Sequence, residues 1–349
     1  MQNWRIQKKQ VYQRSLFYLG ALLLLPTAVL LPHHVVAGTE HDCMVQALET
    51  ANPDMTIAEL RLQCEKKIKE GTYVAAKDDS QIPVVEDRMR HDRKHVLQPF
   101  TLMTHKPNYL LFAAYNASGY DSKLWQEAFN EPGFEWEDTE AQFQLSIKFP
   151  LLVNLFNDTF DIYGAYTNRS FWQIYNEDSA PFRETNHEPE AWVQFHPGWE
   201  LWGFKNTWNS FGVNHQSNGQ GGDLSRSWNR IFAWFTVERG NLAMSIKPWY
   251  RIPESDSDDD NPDIGDYMGH YELSASYKWG ENVFSLMSRN NLESSFSRGA
   301  VQASWSFPLW DWPYLKGYVQ WFSGYGQSLI EYDQYANTIG IGFSLTDWL

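Results

Sequence analysis

Basic residues are scarce in this chain: 28 Lys and Arg stand against 43 Asp and Glu in 349 residues. Arg5, Lys8, Lys9 and Arg14 fall within positions 1–37, which hold no acid, so the remainder carries 24 against 43, a net charge of −19. That sign excludes nucleic acid as a partner, because phosphate backbones are bound through basic surfaces. Long apolar runs are also missing. Beyond residue 37 nothing approaches the roughly 18 apolar residues that a membrane-spanning helix needs. The only cysteines, Cys43 and Cys64, are too few and too far apart for a zinc site. No G-x-S-x-G, H-E-x-x-H or Walker-type loop occurs, so the short signatures of common hydrolases, zincins and nucleotide-binding folds are absent.

Aromatic residues, by contrast, are abundant: Trp 17, Tyr 18 and Phe 21 make 16% of the chain. The four early basic residues precede an apolar stretch from Leu16 to Leu31, and Val35-Val36-Ala37 offers a small-residue cleavage site. This predicts a secretory signal peptide over 1–37 and a mature chain of 38–349. No cysteine follows closely enough for a lipid anchor. An exported, aromatic-rich chain without a spanning helix points to a membrane β-barrel, with a secreted soluble β-sandwich as the alternative. Thr56-Ile57-Ala58-Glu59 fits a capping box and predicts a helix to about Lys69, paired with a shorter one near Cys43–Thr50. A Cys43–Cys64 disulfide closing that hairpin, stabilising by roughly 3 kcal/mol, suits an oxidising periplasm. Residues 38–77 thus read as a helical, disulfide-linked periplasmic segment, and 78–99 as a linker.

From residue 100 onward strand signals recur. Ala141, Phe143, Leu145, Ile147 and Phe149 alternate with Gln142, Gln144, Ser146 and Lys148. Val301, Ala303, Trp305 and Phe307 alternate with Gln302, Ser304 and Ser306, and residues 267–279 and 339–346 repeat the pattern. Period two over nine or more residues is long for a globular strand and suits a tilted membrane-spanning one. Twelve segments qualify: 109–117, 140–150, 160–175, 188–196, 201–217, 227–238, 242–251, 267–279, 282–290, 299–308, 315–326 and 338–349. Connections after even-numbered segments are mostly short, such as Arg239-Gly240-Asn241 and Gly280-Glu281. Those after odd-numbered ones tend to be long and polar, including 118–138, 176–187 and 252–266. Short periplasmic turns alternating with longer external loops predict an all-β, twelve-stranded antiparallel transmembrane β-barrel in the outer membrane, with a short N-terminal helical periplasmic extension. The acidic run Asp256, Asp258, Asp259 and Asp260 reads as a solvated external loop tip, with a divalent-cation role as the weaker alternative.

The stretch NHQSNGQGGDLSRSWN (214–229) carries the chemistry. His215 and Ser217 stand at i and i+2 of the fifth segment, so they share a face with Phe211 and Val213, Cα atoms about 6.6 Å apart. Asn229 shares parity with Ile231, Ala233, Phe235 and Val237 on the sixth. Antiparallel pairing across the loop brings His215, Ser217 and Asn229 together on the lipid-facing side. Polar groups there are expensive unless they satisfy one another. A Ser–His–Asn relay does so and makes a nucleophile: His215 as base, Ser217 as nucleophile, Asn229 fixing the imidazole tautomer. A neutral amide is easier to keep beside lipid than a carboxylate. A water-shy nucleophile at outer-leaflet level points to lipid esters.

These residues resemble the outer membrane phospholipase A family over roughly 100–349. The likeness rests on SAPFRETNHEPEAW (179–192), NHQSNG (214–219), SRSWNR (225–230), IKPWY (246–250), DDNPDI (259–264) and SGYGQSLIEY (323–332). It implies hydrolysis of sn-1 and sn-2 acyl esters of phospholipids and lysophospholipids by a homodimer dependent on Ca²⁺. It implies Gly219 N–H as an oxyanion donor. The Ca²⁺, one per active site and shared across the dimer, would take the Ser225 hydroxyl and Gln220 carbonyl from one subunit and the Ser179 carbonyl from the other. Gln220 stands where the family often has arginine. Asn168 occupies the family's position for an interfacial polar residue, and the ending Asp347-Trp348-Leu349 departs from the usual terminal phenylalanine. The alternative function is a passive outer-membrane barrel, pore or structural, with a degenerate site.

Overall fold

The computed structural model describes Cys43, Met44, Ala47, residues 55–69, 82–96, Gln98, and 101–349 apart from 178, 179, 256, 258, 296 and 311. The segment read as a signal peptide lies outside the described residues. The chain forms two compact units, Met1–Ala76 and Lys77–Leu349. In the first, helix α1 (Ile57–Lys69) begins at the capping box. The Glu59 N–H donates to Thr56 Oγ1 at 3.3 Å, and the Glu59 carboxylate accepts from the Thr56 N–H at 2.8 Å. Those bonds from Thr56, backbone first, hold the Glu59 carboxyl below its ordinary range. Cys43 and Cys64 are joined in a disulfide with Cα atoms 5.7 Å apart.

The second unit is a closed antiparallel barrel of twelve strands. In chain order they are β1 (Asn108–Asn116), β2 (Thr139–Asn154), β3 (Phe160–Trp172), β4 (Phe182–Phe195), β5 (Phe204–Ser217) and β6 (Ser227–Arg239). There follow β7 (Leu242–Ile252), β8 (Tyr271–Trp279), β9 (Asn282–Asn290), β10 (Gly299–Leu309), β11 (Trp312–Tyr325) and β12 (Tyr335–Thr346). Each strand pairs with the next, and β12 closes on β1 through pairs such as Ile339–Tyr115. Closure removes sheet edges, the condition under which strands can cross a bilayer. Among the described residues no helix is long and apolar enough to do so. Alternation is as the sequence expects: Leu145, Leu273, Trp305 and Ile339 are exposed outside, whereas Gln142, Ser146 and Lys148 are buried inside.

Three readings need correction. β4 begins at Phe182, not 188. Its early residues Arg183, Glu184 and Asn186 are polar and buried, so a strand facing a polar lumen looks like a loop in sequence. Residues 267–270 are not strand. A short helix, Ile264–Met268, buries Met268, and Gly269 turns the chain at φ +69, where an added Cβ would lie 2.1 Å from the Asn290 carbonyl oxygen. The stretch 78–99 is not a plain linker but carries helix α2 (Val84–Val96). Two of its carboxylates, Glu86 and Asp92, find partners on the barrel. Val84 and Val85 are buried with Trp208 and Ala243, against Trp348 and Leu349. Glu238 accepts from the Val85 and Glu86 N–H groups at 2.7 and 3.3 Å, Lys205 reaches Glu86, and Lys148 reaches Asp92.

Inside, charges are paired. Arg183 meets Glu140 through Nε and Nη2 at 3.0 and 2.9 Å, Lys106 meets Glu188 at 2.5 Å, and Lys247 meets Glu190 at 2.7 Å. A lumenal cavity of about 250 Å³ is lined in part by Arg169, Arg230, Glu272 and Arg289.

Candidate active site

The register of β5 and β6 sets His215 directly opposite Asn229 and Ser217 opposite Ser227. Along the same face Phe211, Val213 and Ile231 are 50%, 53% and 51% exposed. The intervening Asn214 and Arg230 turn inward, where Arg230 Nε donates to Asn214 Oδ1 at 2.9 Å. The pleat therefore places His215, Ser217 and Asn229 on the outer, lipid-facing wall.

His215 Nδ1 lies 2.9 Å from Asn229 Oδ1. The other end of the amide, Nδ2, donates to Glu254 Oε1 at 2.8 Å. Ser217 is half-buried on the same face, and among the described residues its hydroxyl makes no hydrogen bond to the imidazole. Relay hydrogen bonds of this kind are often loose without substrate. On the other flank β4 sets His187 opposite Ser217, with His187 Nδ1 2.6 Å from the Tyr166 hydroxyl.

The loop after β5 is organised by buried Asn218. Its Oδ1 accepts from the N–H groups of Gln220 and Arg226 at 3.2 and 3.1 Å, and its Nδ2 donates to the Leu224 carbonyl at 2.8 Å. Gly219 sits at φ +67, which glycine adopts without strain, and its N–H stays outside those bonds. Gln220 is exposed beside it. Ser225 donates its hydroxyl to Asp260 Oδ2 at 2.5 Å, and Asn261 Oδ1 accepts from the Ser227 N–H at 2.9 Å. Ser179 lies outside the described residues, as do Asp256 and Asp258. Asn168 is half-buried on β3 and accepts from the Ser170 hydroxyl at 3.1 Å.

The solvated-tip reading of the acidic run is therefore corrected where the run is described: Asp259 pairs with Arg251 at 2.5 Å, and Asp260 touches Ser225. Sequence reasoning singled out Asp260 only within the acidic run and missed Glu254 as a neighbour of the site. Ile252, the last residue of β7, pairs with Asn229, and the loop leaving β7 passes the amide.

A family model, Phospholipase A1, matches residues 85–345, starting within α2. Phospholipase A1 of Klebsiella pneumoniae is 36% identical over 254 residues, 71% of this chain and 84% of that protein. Outer membrane phospholipase A from Escherichia coli superposes with a TM-score of 0.65 at 34% identity, over 72% of this chain and 100% of that one. The outer membrane phospholipase of Salmonella typhi, solved as a dimer with bound calcium, gives a TM-score of 0.65 at 34% identity, over 72% and 94% of the two chains.

Proposed function

We infer that this chain, which belongs to the phospholipase A1 family, is a calcium-dependent outer-membrane phospholipase whose reaction is carried by His215, Ser217 and Asn229. The observation that bears most weight is the His215–Asn229 contact on the lipid-facing wall, with Ser217 on the same face. Asn229 Oδ1 accepts the Nδ1 proton, which leaves Nε2 as the base for Ser217. The Ser217 oxygen attacks the acyl carbonyl as its proton passes to His215. His215 then protonates the departing glycerol oxygen, and the same groups hydrolyse the acyl-enzyme with water. Gly219 N–H faces the developing oxyanion. The substrates are phospholipids and lysophospholipids, cut at the sn-1 and sn-2 esters.

The donors available for calcium suit it. The Ser225 hydroxyl and Gln220 carbonyl are hard oxygens, and the Asp260 carboxylate lies against Ser225. A Ser179 carbonyl from a second copy would complete the set, making the active form a homodimer. Bound there, calcium would supply positive charge to the developing oxyanion. Residues 1–37 act as the signal peptide, and 38–77 as a periplasmic segment.

A passive pore is the second reading, and α2 argues against it: a helix held by Glu238, Lys205 and Lys148 packs on the barrel's own strands. Fatty-acid release from mixed micelles, with calcium and with chelator, is the deciding assay. If Ser217→Ala releases as much as wild type, the nucleophile is misassigned.

A further inference from the structure

We propose that Glu254 is a positioning residue that extends the relay behind Asn229, selecting its amide orientation and placing a negative charge behind the imidazole. The proposal rests on the Ser217–His215–Asn229 reading. A carboxylate only accepts hydrogen bonds, so the end of an amide that faces it must be the NH₂ end. Asn229 Nδ2 donates to Glu254 Oε1 at 2.8 Å, which obliges Oδ1 to face His215, where it lies 2.9 Å from Nδ1. The reversed amide would set Oδ1 against the carboxylate and aim an N–H at Nδ1. Nδ1 would then have to accept, the ring proton would move to Nε2, and the base beside Ser217 would be gone. One carboxylate thus decides the tautomer through a side chain that by itself has no preference.

The second contribution is charge. During the reaction the imidazole becomes an imidazolium, and a neutral amide stabilises that cation less than an aspartate would. A carboxylate bonded to the far end of the amide polarises it and adds its own field. The placement resolves a conflict. Asn229 stands on the wall beside Ile231, where an ionised group is expensive. Glu254 stands in the loop after Ile252, partly open to water. Amide on the wall and charge one step outward give the relay an anion without setting it in the hydrocarbon. The amide end that faces His215 is fixed by the same contact.

The test compares the full-length protein with Glu254→Ala and Glu254→Gln in calcium-supplied micelles, reading kcat and KM separately. Glu254→Ala lowers kcat by about tenfold or more with KM changed by no more than about twofold. Glu254→Gln keeps an acceptor for the amide but lacks the charge, and recovers part of kcat. In Asn229→Asp two carboxylates collide, and adding Glu254→Gln restores part of the activity. A Glu254→Ala enzyme with wild-type kcat overturns the proposal, as does a change confined to KM or calcium requirement, the mark of a loop anchor. Ser217→Ala is the control: if it stays active the underlying relay fails, whereas if it is dead and Glu254→Ala is normal only this inference fails.

Discussion

Nδ1 of His215 and Oδ1 of Asn229 stand 2.9 Å apart on directly opposed positions of two antiparallel strands. Backbone register fixes this contact, so it survives loop motion. Ser217→Ala abolishes fatty-acid release. Asn229→Ala, which keeps the base but frees the ring, lowers kcat by about 10²-fold, with the barrel's heat-modifiable gel mobility unchanged. Equal losses in both variants would show that Asn229 does more than orient the ring.

Calcium removal should stop turnover without unfolding the barrel, because Gln220, Ser225 and Asp260 sit in the loops after β5 and β7. Ser225→Ala raises the calcium concentration for half-maximal activity, and Asp260→Asn raises it less. Titration of activity against free calcium checks the order.

Helix α2 should keep the lumen from conducting. Glu238→Leu leaves the Val85 and Glu86 N–H groups without their carboxylate, at about 1–3 kcal/mol. Planar-bilayer recordings should find wild type silent and a variant lacking 84–96 conducting.

The docking of α2 also depends on pH. The Lys205 hydrogen bond, helped by Arg90, outweighs desolvation and holds the Glu86 carboxyl below its ordinary range. A depressed carboxylate stabilises above its unfolded pKa, and that contribution is lost as pH falls through the folded value. Proteolysis within 78–99 should therefore speed up as pH falls below the ordinary carboxylate range. Lys205→Gln should accelerate it at neutral pH and flatten the dependence.

The Arg183–Glu140 pair is buried on both sides and joined by two hydrogen bonds. Arg183→Leu strands the Glu140 carboxylate and costs about 3–5 kcal/mol. Heat-modifiable mobility on gels should show unfolding at a lower temperature.

Where one side of a strand met lipid and the other met water or polar groups, the sequence was readable. Period-two alternation located β2, β10 and β12, and the loop asymmetry oriented them. It failed where the inward residues were ionised. Arg183 and Glu184 looked like loop because their partners, Glu140 and Glu331 for the arginine and Ile330 for the glutamate, come from distant chain. The same blindness made a linker of α2, whose Glu86, Asp92 and Arg93 pair with Lys205, Lys148 and Asp161.

Side-chain parity is a local property of an extended backbone, so the sequence by itself determined that His215, Ser217 and Asn229 leave their strands on the lipid side. Which loop folds over them is not local. The pairing of Ile252 with Asn229 and the closure of the sheet decided that Glu254 stands behind the amide and Asp260 beside Ser225. Hydrogen bonds between residues 25 and 35 positions apart follow no period that a sequence displays; the register of β6 against β7 brings them within reach.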